Sequence, residues 1–396
     1  MKKLTVILMS AVFLFGGMFV IGELFEREAD AYVVPANYSE VEERLASDAE
    51  LYPVFVLMDN ESRDYYIKLC AGFESYAQSI FLDEFETKEE MKLIEGWLDE
   101  NYRNIAYEQP DCFWVDPNSY VMEEKLLGDK YFLSVKPNYT LAEDEIAEKK
   151  AVYDTVVSNI VAEAKSQETV FDSVLYVYDT ILSRTDYDHT LAEAEDSSLN
   201  GYSAYGCLVE GKTVCSGYTL AFTSIMQKLG IKCGAEFDAM SESEFFSGHV
   251  WNYCRLDGEY YYFDLTWDDT SFDSDELRQY LDYTHDYFGL TTKELKATNS
   301  EVKADTTSLT CYNDEYNYYT NLNLYCEKYS FNNFRRIIEN QPQDNFAVIK
   351  FSSESERQKA EKDLFENQRL YEIFPDIDGV RYITSVSGLH LYIFFE

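Results

Sequence analysis

The most constraining feature of the sequence is a pair of strand-like runs joined by a two-residue turn. The runs are residues 248–256 and 259–267, and Asp257-Gly258 stands between them. Asp-Gly is typical of a type I′ turn, in which both central residues take positive φ. Such a turn fixes the register of a hairpin, because the residues that flank it must face each other. The sequence therefore predicts an antiparallel hairpin in which the partner of each residue is given by its distance from the turn.

That register brings a histidine and a carboxylate together. Counted from the turn, Trp251 lies opposite Asp264. Two positions further along, His249 lies opposite Thr266. His249 and Asp264 then share one face of the hairpin as diagonal neighbours, whose Cβ atoms are about 7–8 Å apart. An imidazole and a carboxylate can hydrogen-bond across this separation, so we predict that Asp264 orients His249 as a base.

A cysteine begins a predicted helix upstream of the hairpin. The segment from Gly211 to Gly230 has the pattern of a turn and then a helix with a glycine cap, and Cys215 falls in its first turn. The unpaired amides at a helix start stabilise a thiolate and can hold an oxyanion. A buried, inert cysteine is the alternative. The combination with His249 and Asp264 favours a catalytic triad of nucleophile, base and orienting acid.

Cofactor and metal motifs are missing from the sequence. It contains no phosphate-binding glycine loop, no paired-cysteine metal motif and no His-rich tract. The acidic stretch over residues 268–275 could supply oxygen ligands to calcium, but it lacks the glycine and the closing glutamate of a calcium loop. We therefore expect no cofactor and no metal.

The charge of the chain excludes some partners. Asp and Glu total 73 against 33 Lys and Arg, a formal net charge of -40 at pH 7. Such a chain repels phosphate backbones and anionic membrane surfaces, so nucleic acid is not an expected partner. The charge is typical of a protein that stays soluble outside the cell.

The first residues have the layout of a secretory signal. Lys2 and Lys3 precede an apolar run from Leu4 to Ile21, and the small residues near position 31 supply a cleavage site. We predict an extracellular or cell-surface protein. An uncleaved membrane anchor is the alternative, since the apolar run approaches the length of a spanning helix. Membrane contact is expected only through this segment.

Periodicity and composition divide the chain into four segments. We predict a signal or anchor over residues 1–31, a mainly helical region over 32–167, a catalytic domain over 168–325 and an accessory α/β region over 326–396. In the second segment a capping box at Thr87 opens a helix, and short strands or loops are expected before position 137. The last segment has a βαββ pattern.

Residues 204–218, 248–252 and 262–269 resemble the transglutaminase-like superfamily, in particular its bacterial secreted members. The resemblance covers roughly residues 170–290, with the order Cys, His, Asp. It implies an α+β fold with a papain-like core, in which the nucleophile helix packs on an antiparallel sheet that carries the other two residues.

Further residues of the matching segments receive supporting roles. Trp251 and Asn252 are expected to pack around the site and orient it, and Tyr205 to contribute to the oxyanion site. Cys207 precedes the helix, where no amides point at it, and is expected to be structural.

The resemblance implies a thiol enzyme that acts on protein or peptide amides through an acyl-enzyme. Hydrolysis, as in a cysteine peptidase or amidase, is favoured because water is abundant outside the cell. Cross-linking acyl transfer to an amine is one alternative, and a catalytically idle cell-surface binding module is another. The expected partner is a protein or peptide substrate, with cell-wall-associated substrates included.

Eight cysteines are too few to be the scaffold of a chain of this length. Cys233 and Cys254 fall on neighbouring predicted strands, so a disulfide between them is open, as is one between Cys311 and Cys326.

Overall fold

We analysed a computed structural model of the 396-residue chain. The structure describes residues 34–194, 200–238, 248–273, 276–298, 309–339, 341, 346–385 and 387–395. The predicted secretory segment lies outside these residues. No helix within them is long and apolar enough to cross a membrane. The backbone separates into two compact units, residues 1–144 and 145–396, and each is described by itself.

The first unit combines helices with a three-stranded antiparallel sheet. Thr87 forms the predicted capping box, since its hydroxyl accepts from the amide of Glu90 (3.2 Å) and the Glu90 carboxylate accepts from the amide of Thr87 (3.0 Å). The sheet has the order β1-β3-β2. The elements of this unit are helices Tyr38–Ser47, Pro53–Leu57, Asn60–Glu74 and Lys88–Tyr107, the short 3-10 helix Ala49–Leu51, and strands β1 (Ile80–Phe85), β2 (Val115–Leu127) and β3 (Lys130–Tyr139).

The sheet of the first unit is larger than the sequence indicates. The region before position 137, expected to form short strands or loops, forms a hairpin with strands of 13 and 10 residues. Much of β2 is exposed and carries consecutive charged residues such as Glu123 and Glu124. A strand with both faces largely in water lacks the alternation of apolar and polar residues by which strands are recognised.

The second unit begins within the helix Glu143–Lys165 and contains an antiparallel sheet of order β6-β7-β8-β9. The unit is α+β, as expected from the resemblance. Its elements up to residue 298 are helices Val170–Leu182, His189–Glu193, Cys215–Lys228, Leu265–Asp268, Thr270–Asp273 and Thr292–Thr298, the 3-10 helices Asn200–Tyr202 and Leu277–Gln279, the π-helix Gly206–Glu210, and strands β4 (Asp186–Tyr187), β5 (Lys212–Thr213), β6 (Cys233–Phe237), β7 (Val250–Leu256), β8 (Glu259–Phe263) and β9 (Phe288–Leu290).

The predicted hairpin is present, with the predicted register. Strands β7 and β8 pair from Leu256 opposite Glu259 to Asn252 opposite Phe263. Both turn residues, Asp257 and Gly258, have positive φ, of 50° and 91°. The Asp-Gly turn therefore sets the pairing, as the sequence indicated.

The second strand of the hairpin is shorter than predicted. β8 ends at Phe263, and the helix Leu265–Asp268 follows at once, so the expected pairing of His249 with Thr266 is wrong. The cause is local, because the Asp264 carboxylate accepts a hydrogen bond from the amide of Trp267 (3.4 Å) and caps the new helix.

The helix Cys215–Lys228 packs against β7 through buried polar contacts. The Asn252 amide donates to the carbonyl oxygen of Thr219 (3.1 Å) and to the hydroxyl of Thr223 (3.0 Å). The Thr219 hydroxyl in turn donates to the carbonyl oxygen of Val250 (3.2 Å). Since buried polar groups must be paired, these bonds fix the position of the helix along the strand.

The C-terminal part of the second unit is a four-stranded sheet with an apolar core of its own. It contains the expected βαββ pattern, to which the structure adds a short parallel strand, β10, and the helix Phe331–Glu339. The sheet order is β10-β11-β13-β12. The remaining elements are helices Tyr318–Asn321 and Glu354–Glu361, the π-helix Lys362–Glu366, the 3-10 helix Arg369–Glu372, and strands β10 (Tyr325–Cys326), β11 (Phe346–Phe351), β12 (Val380–Thr384) and β13 (His390–Phe395).

All eight cysteines are free thiols in the structure. Cys233 lies directly opposite Cys254 in the β6–β7 ladder, as neighbouring strands require. The adjacent pair is hydrogen-bonded, from the amide of Arg255 to the carbonyl of Lys232 (2.9 Å), so the two cysteines occupy a non-hydrogen-bonded position, where side chains are closest. Cys311, by contrast, belongs to a separate apolar cluster from that of Cys326.

We expect Gly289→Ala to destabilise the second unit by about 2–4 kcal/mol. Gly289 has a φ of +69°, and a Cβ there would lie 2.1 Å from the carbonyl oxygen of Tyr316. Gly96→Ala is the matched control, since a Cβ at Gly96 would meet nothing within 4 Å and alanine favours the helix by about 1 kcal/mol. Thermal unfolding followed by circular dichroism measures both, and equal midpoints for the two variants would contradict this account.

Candidate active site

Cys215 is the first residue of its helix and is partly exposed. The other seven cysteines are buried. The helix start packs tightly on the preceding loop, where the Ser216 hydroxyl donates to the carbonyl of Tyr202 (3.1 Å). A Cβ on Gly217 would lie 2.9 Å from the carbonyl oxygen of Ser203. The first turn of the helix is therefore so close to the backbone at Ser203 that only glycine fits at position 217. Cys215 is therefore a thiol at a rigid helix N-terminus, with access from solvent.

His249 and Asp264 form the predicted pair. The distance from His249 Nε2 to Asp264 Oδ2 is 2.7 Å, and Asp264 is 2% exposed. Cys215 is a direct neighbour of His249, and its thiol is one of the groups that raise the pKa of the imidazole. Because Nε2 faces Asp264, the other ring nitrogen, Nδ1, is the one available to the thiol. The structure thus brings Cys215, His249 and Asp264 together in the order of a nucleophile, a base and an orienting acid.

The charge state of His249 follows from its neighbours. Burial lowers the pKa of the imidazole, but the negative charge of Asp264 and the hydrogen bonds to Asp264 and Cys215 outweigh it and raise the pKa to about 10. His249 is therefore protonated at neutral pH and donates to both partners. An imidazolium next to a cysteine stabilises the thiolate, which is the nucleophilic form.

Two indole rings enclose the imidazole of His249. The ring of Trp251 stacks on it, with centroids 5.6 Å apart, and the ring of Trp267 stands nearly perpendicular at 6.3 Å. Large rings on two sides limit rotation of the imidazole and exclude water from the pair with Asp264. Asn252 lies on the other face of the strand, where it bonds the Cys215 helix, and so acts on the site through the helix.

Tyr205 lies directly before the π-helix Gly206–Glu210, which precedes Cys215 in the chain, and Cys207 lies within it. The ring of Tyr205 lies under the ammonium of Lys149, with Nζ 4.8 Å from its centroid. Its contribution to the oxyanion site stays a prediction. Cys207 is fully buried, and burial raises the pKa of its thiol to about 12, as in a structural cysteine.

The structure also reveals functional neighbours that sequence reasoning missed. Asp268 and Asp269, in the acidic stretch over residues 268–275, are buried and accept hydrogen bonds from the hydroxyls of Tyr178 and Tyr218, respectively. Within the described residues, no group of three or more His, Cys, Asp or Glu is arranged to hold a metal ion. The sequence shows them as two adjacent aspartates at the end of the short helix, but it does not show that both are buried.

Two other histidines also pair with carboxylates. His285 lies 2.7 Å from Asp179, and His390 lies 2.9 Å from Asp286. Pairing with a carboxylate therefore does not by itself mark a catalytic base in this chain. The neighbouring thiol of Cys215 sets His249 apart from these two.

Residues 154–265 match the family model described as the transglutaminase-like superfamily. This range contains all three residues that the geometry brings together. No protein among the curated ones matches the chain.

Two similar solved structures share little sequence with this chain. One, described as the crystal structure of a TGase, is 13% identical over 37% of this chain and 43% of its own, with a TM-score of 0.26. The other, described as a putative cysteine protease from Cytophaga hutchinsonii, is 14% identical over 48% of this chain and 67% of its own, with a TM-score of 0.24. The matched part thus spans less than half of the first of these chains.

We expect Asp264→Asn to lower the pKa of His249 from about 10 toward its ordinary value of about 6.5, because the charge and the hydrogen bond of Asp264 are lost, while burial, which lowers the pKa, and Cys215, which raises it, both remain. Nitrogen-15 NMR of the imidazoles measures this directly. The chain has only four histidines, and a His249→Gln variant assigns the signal. A His249 signal that titrates near 6.5 in the wild type as well would refute the proposed charge balance.

Proposed function

We propose, from the premise that residues 154–265 form a transglutaminase-like core, that this protein is a thiol enzyme that cleaves amide bonds in proteins or peptides, with hydrolysis favoured. The 2.7 Å hydrogen bond from His249 to Asp264, with the thiol of Cys215 beside the same imidazole, is the observation that carries the proposal. It places a nucleophile, a group that can transfer a proton and an orienting carboxylate in one site.

The first half-reaction uses both charges of the pair. The Cys215 thiolate attacks the carbonyl carbon of the amide, and a carbon–sulfur bond forms. Among the first amides of the helix, that of Gly217 already donates to the carbonyl of Val214 (3.0 Å), which leaves the amides of Cys215 and Ser216 for the developing oxyanion. The carbon–nitrogen bond then breaks, His249 transfers its proton to the departing amine, and a thioester remains on Cys215.

The second half-reaction releases the acyl group. Neutral His249 takes a proton from the acceptor, which attacks the thioester carbonyl, and the carbon–sulfur bond breaks to restore the thiolate. Water as acceptor makes the protein a peptidase or amidase, and a primary amine makes it a cross-linking acyltransferase. Throughout, Asp264 holds the imidazole in the orientation that serves both steps.

We further propose that the protein acts outside the cell. The basic start followed by an apolar run supports export, and the charge of -40 at pH 7 suits a soluble exported protein. Proteins or peptides at the cell surface, including those of the cell wall, are the proposed substrates.

We expect Cys215→Ala to reduce product formation by about 10⁴-fold or more, since loss of the nucleophile leaves only the residual effect of binding and the oxyanion site. The assay is mass spectrometry after incubation with a model protein and a labelled primary amine. Cys326→Ala is the matched control, because Cys326 is a buried thiol of the same unit that lies in the separate apolar cluster of its C-terminal part. That control should retain the wild-type rate.

The products decide which acceptor is used. New chain termini that disappear with Cys215→Ala identify a hydrolase, and amine incorporation that disappears identifies an acyltransferase. Identical spectra from wild type and Cys215→Ala, together with a wild-type Cys215 that iodoacetamide does not modify at neutral pH, would instead identify a binding module.

A further inference from the structure

A short helix connects the acid of the candidate triad to the nucleophile helix. Asp264 precedes the helix Leu265–Asp268 and holds His249, and Asp269 follows it. The Asp269 carboxylate accepts a hydrogen bond from the hydroxyl of Tyr218, which is three residues after Cys215 on the nucleophile helix. The two ends of one four-residue helix thus contact the base and the helix that carries the nucleophile.

The contact between Tyr218 and Asp269 is buried. Tyr218 is 1% exposed and Asp269 is 3% exposed. The second carboxylate oxygen of Asp269 accepts from the amide of Ser271 (2.7 Å), so both oxygens are engaged. Burial raises the pKa of Asp269, while the bonds from Ser271 and Tyr218 oppose that rise and favour the charged form. A hydrogen bond from a hydroxyl to a buried carboxylate is short and strongly directional.

The nucleophile helix is attached on two sides by adjacent residues. Thr219 donates to the carbonyl oxygen of Val250, the residue after His249 on β7 (3.2 Å). Tyr218 bonds Asp269 on the other side. The first contact fixes the helix along the strand that carries the base, and the second fixes its approach to the turn that carries the acid.

We propose that Asp269 is a positioning residue, which holds Cys215 within hydrogen-bonding reach of His249 through its bond with Tyr218. This inference rests on the proposed function, in which the Cys215 thiolate is the reactive group. Asp269 does not touch the reacting atoms and acts only through the nucleophile helix.

The test is the rate at which iodoacetamide modifies Cys215, followed by mass spectrometry of the peptide that contains it. Wild type, Tyr218→Phe and Asp269→Asn are each measured at pH 7 and at pH 10. At pH 10 a thiol ionises without help. The alkylation rate at pH 7 divided by the rate at pH 10 therefore reports the assistance that His249 gives at pH 7. We expect each substitution to lower the ratio by about tenfold.

Tyr319→Phe is the matched control for a purely structural effect. Tyr319 is also 1% exposed, and its hydroxyl donates to a buried carboxylate, that of Asp286 (2.6 Å), in the same unit. Its loss should lower the thermal midpoint about as much as Tyr218→Phe does, while the ratio of alkylation rates stays at the wild-type value.

The outcomes separate the inference from the proposed function. A wild-type Cys215 that reacts no faster at pH 7 than an ordinary thiol overturns the proposed function. A reactive wild type whose ratio is unchanged in Tyr218→Phe and Asp269→Asn overturns the positioning role alone. If Asp269→Asn does not fold, Tyr218→Phe decides. In the double variant, Tyr218→Phe with Asp269→Asn, the ratio should fall no further than in either single variant. A fall equal to the product of the two single falls would show that the residues act separately.

Discussion

The hydrogen bond between His249 and the buried carboxylate of Asp264 determines how the second unit has to be built around the site. A carboxylate that is 2% exposed is costly unless it is paired with a positive charge and with further donors. His249 supplies the charge, and the amide of Trp267 supplies a donor to the other oxygen. The same amide bond makes Asp264 the cap of a helix, so one carboxylate both orients the base and changes the direction of the chain.

The nucleophile must then be held against that pair without being buried. The structure does this by burying the rest of the Cys215 helix, from Ser216 to Met226, and leaving its first residue partly exposed. Polar contacts help to set the position of the helix. The Asn252 amide, on β7, donates to the helix, and the Thr219 hydroxyl, on the helix, donates back to β7. Hydrogen bonds have narrow distance and angle ranges, whereas apolar surfaces can slide over one another. Hydrogen bonds are therefore suited to hold the Cys215 thiol at a fixed distance from one ring nitrogen of His249.

The sequence predicts those parts of the site that depend on local geometry and misses those that depend on burial. The Asp257-Gly258 turn determines the register of β7 with β8, and that register places the chain segments that carry His249 and Asp264 next to each other. The end of β8 does not follow, because an aspartate that pairs with a histidine and one that caps a helix look alike in a sequence. Asp269 stands out in the sequence only as part of an acidic stretch, because its partner, Tyr218, is distant in the chain and becomes its neighbour only in the folded unit.

The proposed export would require Cys215 to stay reduced where other cysteines can oxidise, and the layout of the sheet bears on this. Cys233 and Cys254 face each other at one end of the β6–β7 ladder. His249 lies at the opposite end, directly before Val250, the first residue of β7. Five residues along a strand, the separation of Cys254 from His249, correspond to about 16 Å. Thiol–disulfide exchange requires direct contact between sulfur atoms. Oxidation of the Cys233–Cys254 pair would therefore proceed without consuming Cys215, and a disulfide there would join the two strands at the end of the ladder away from His249.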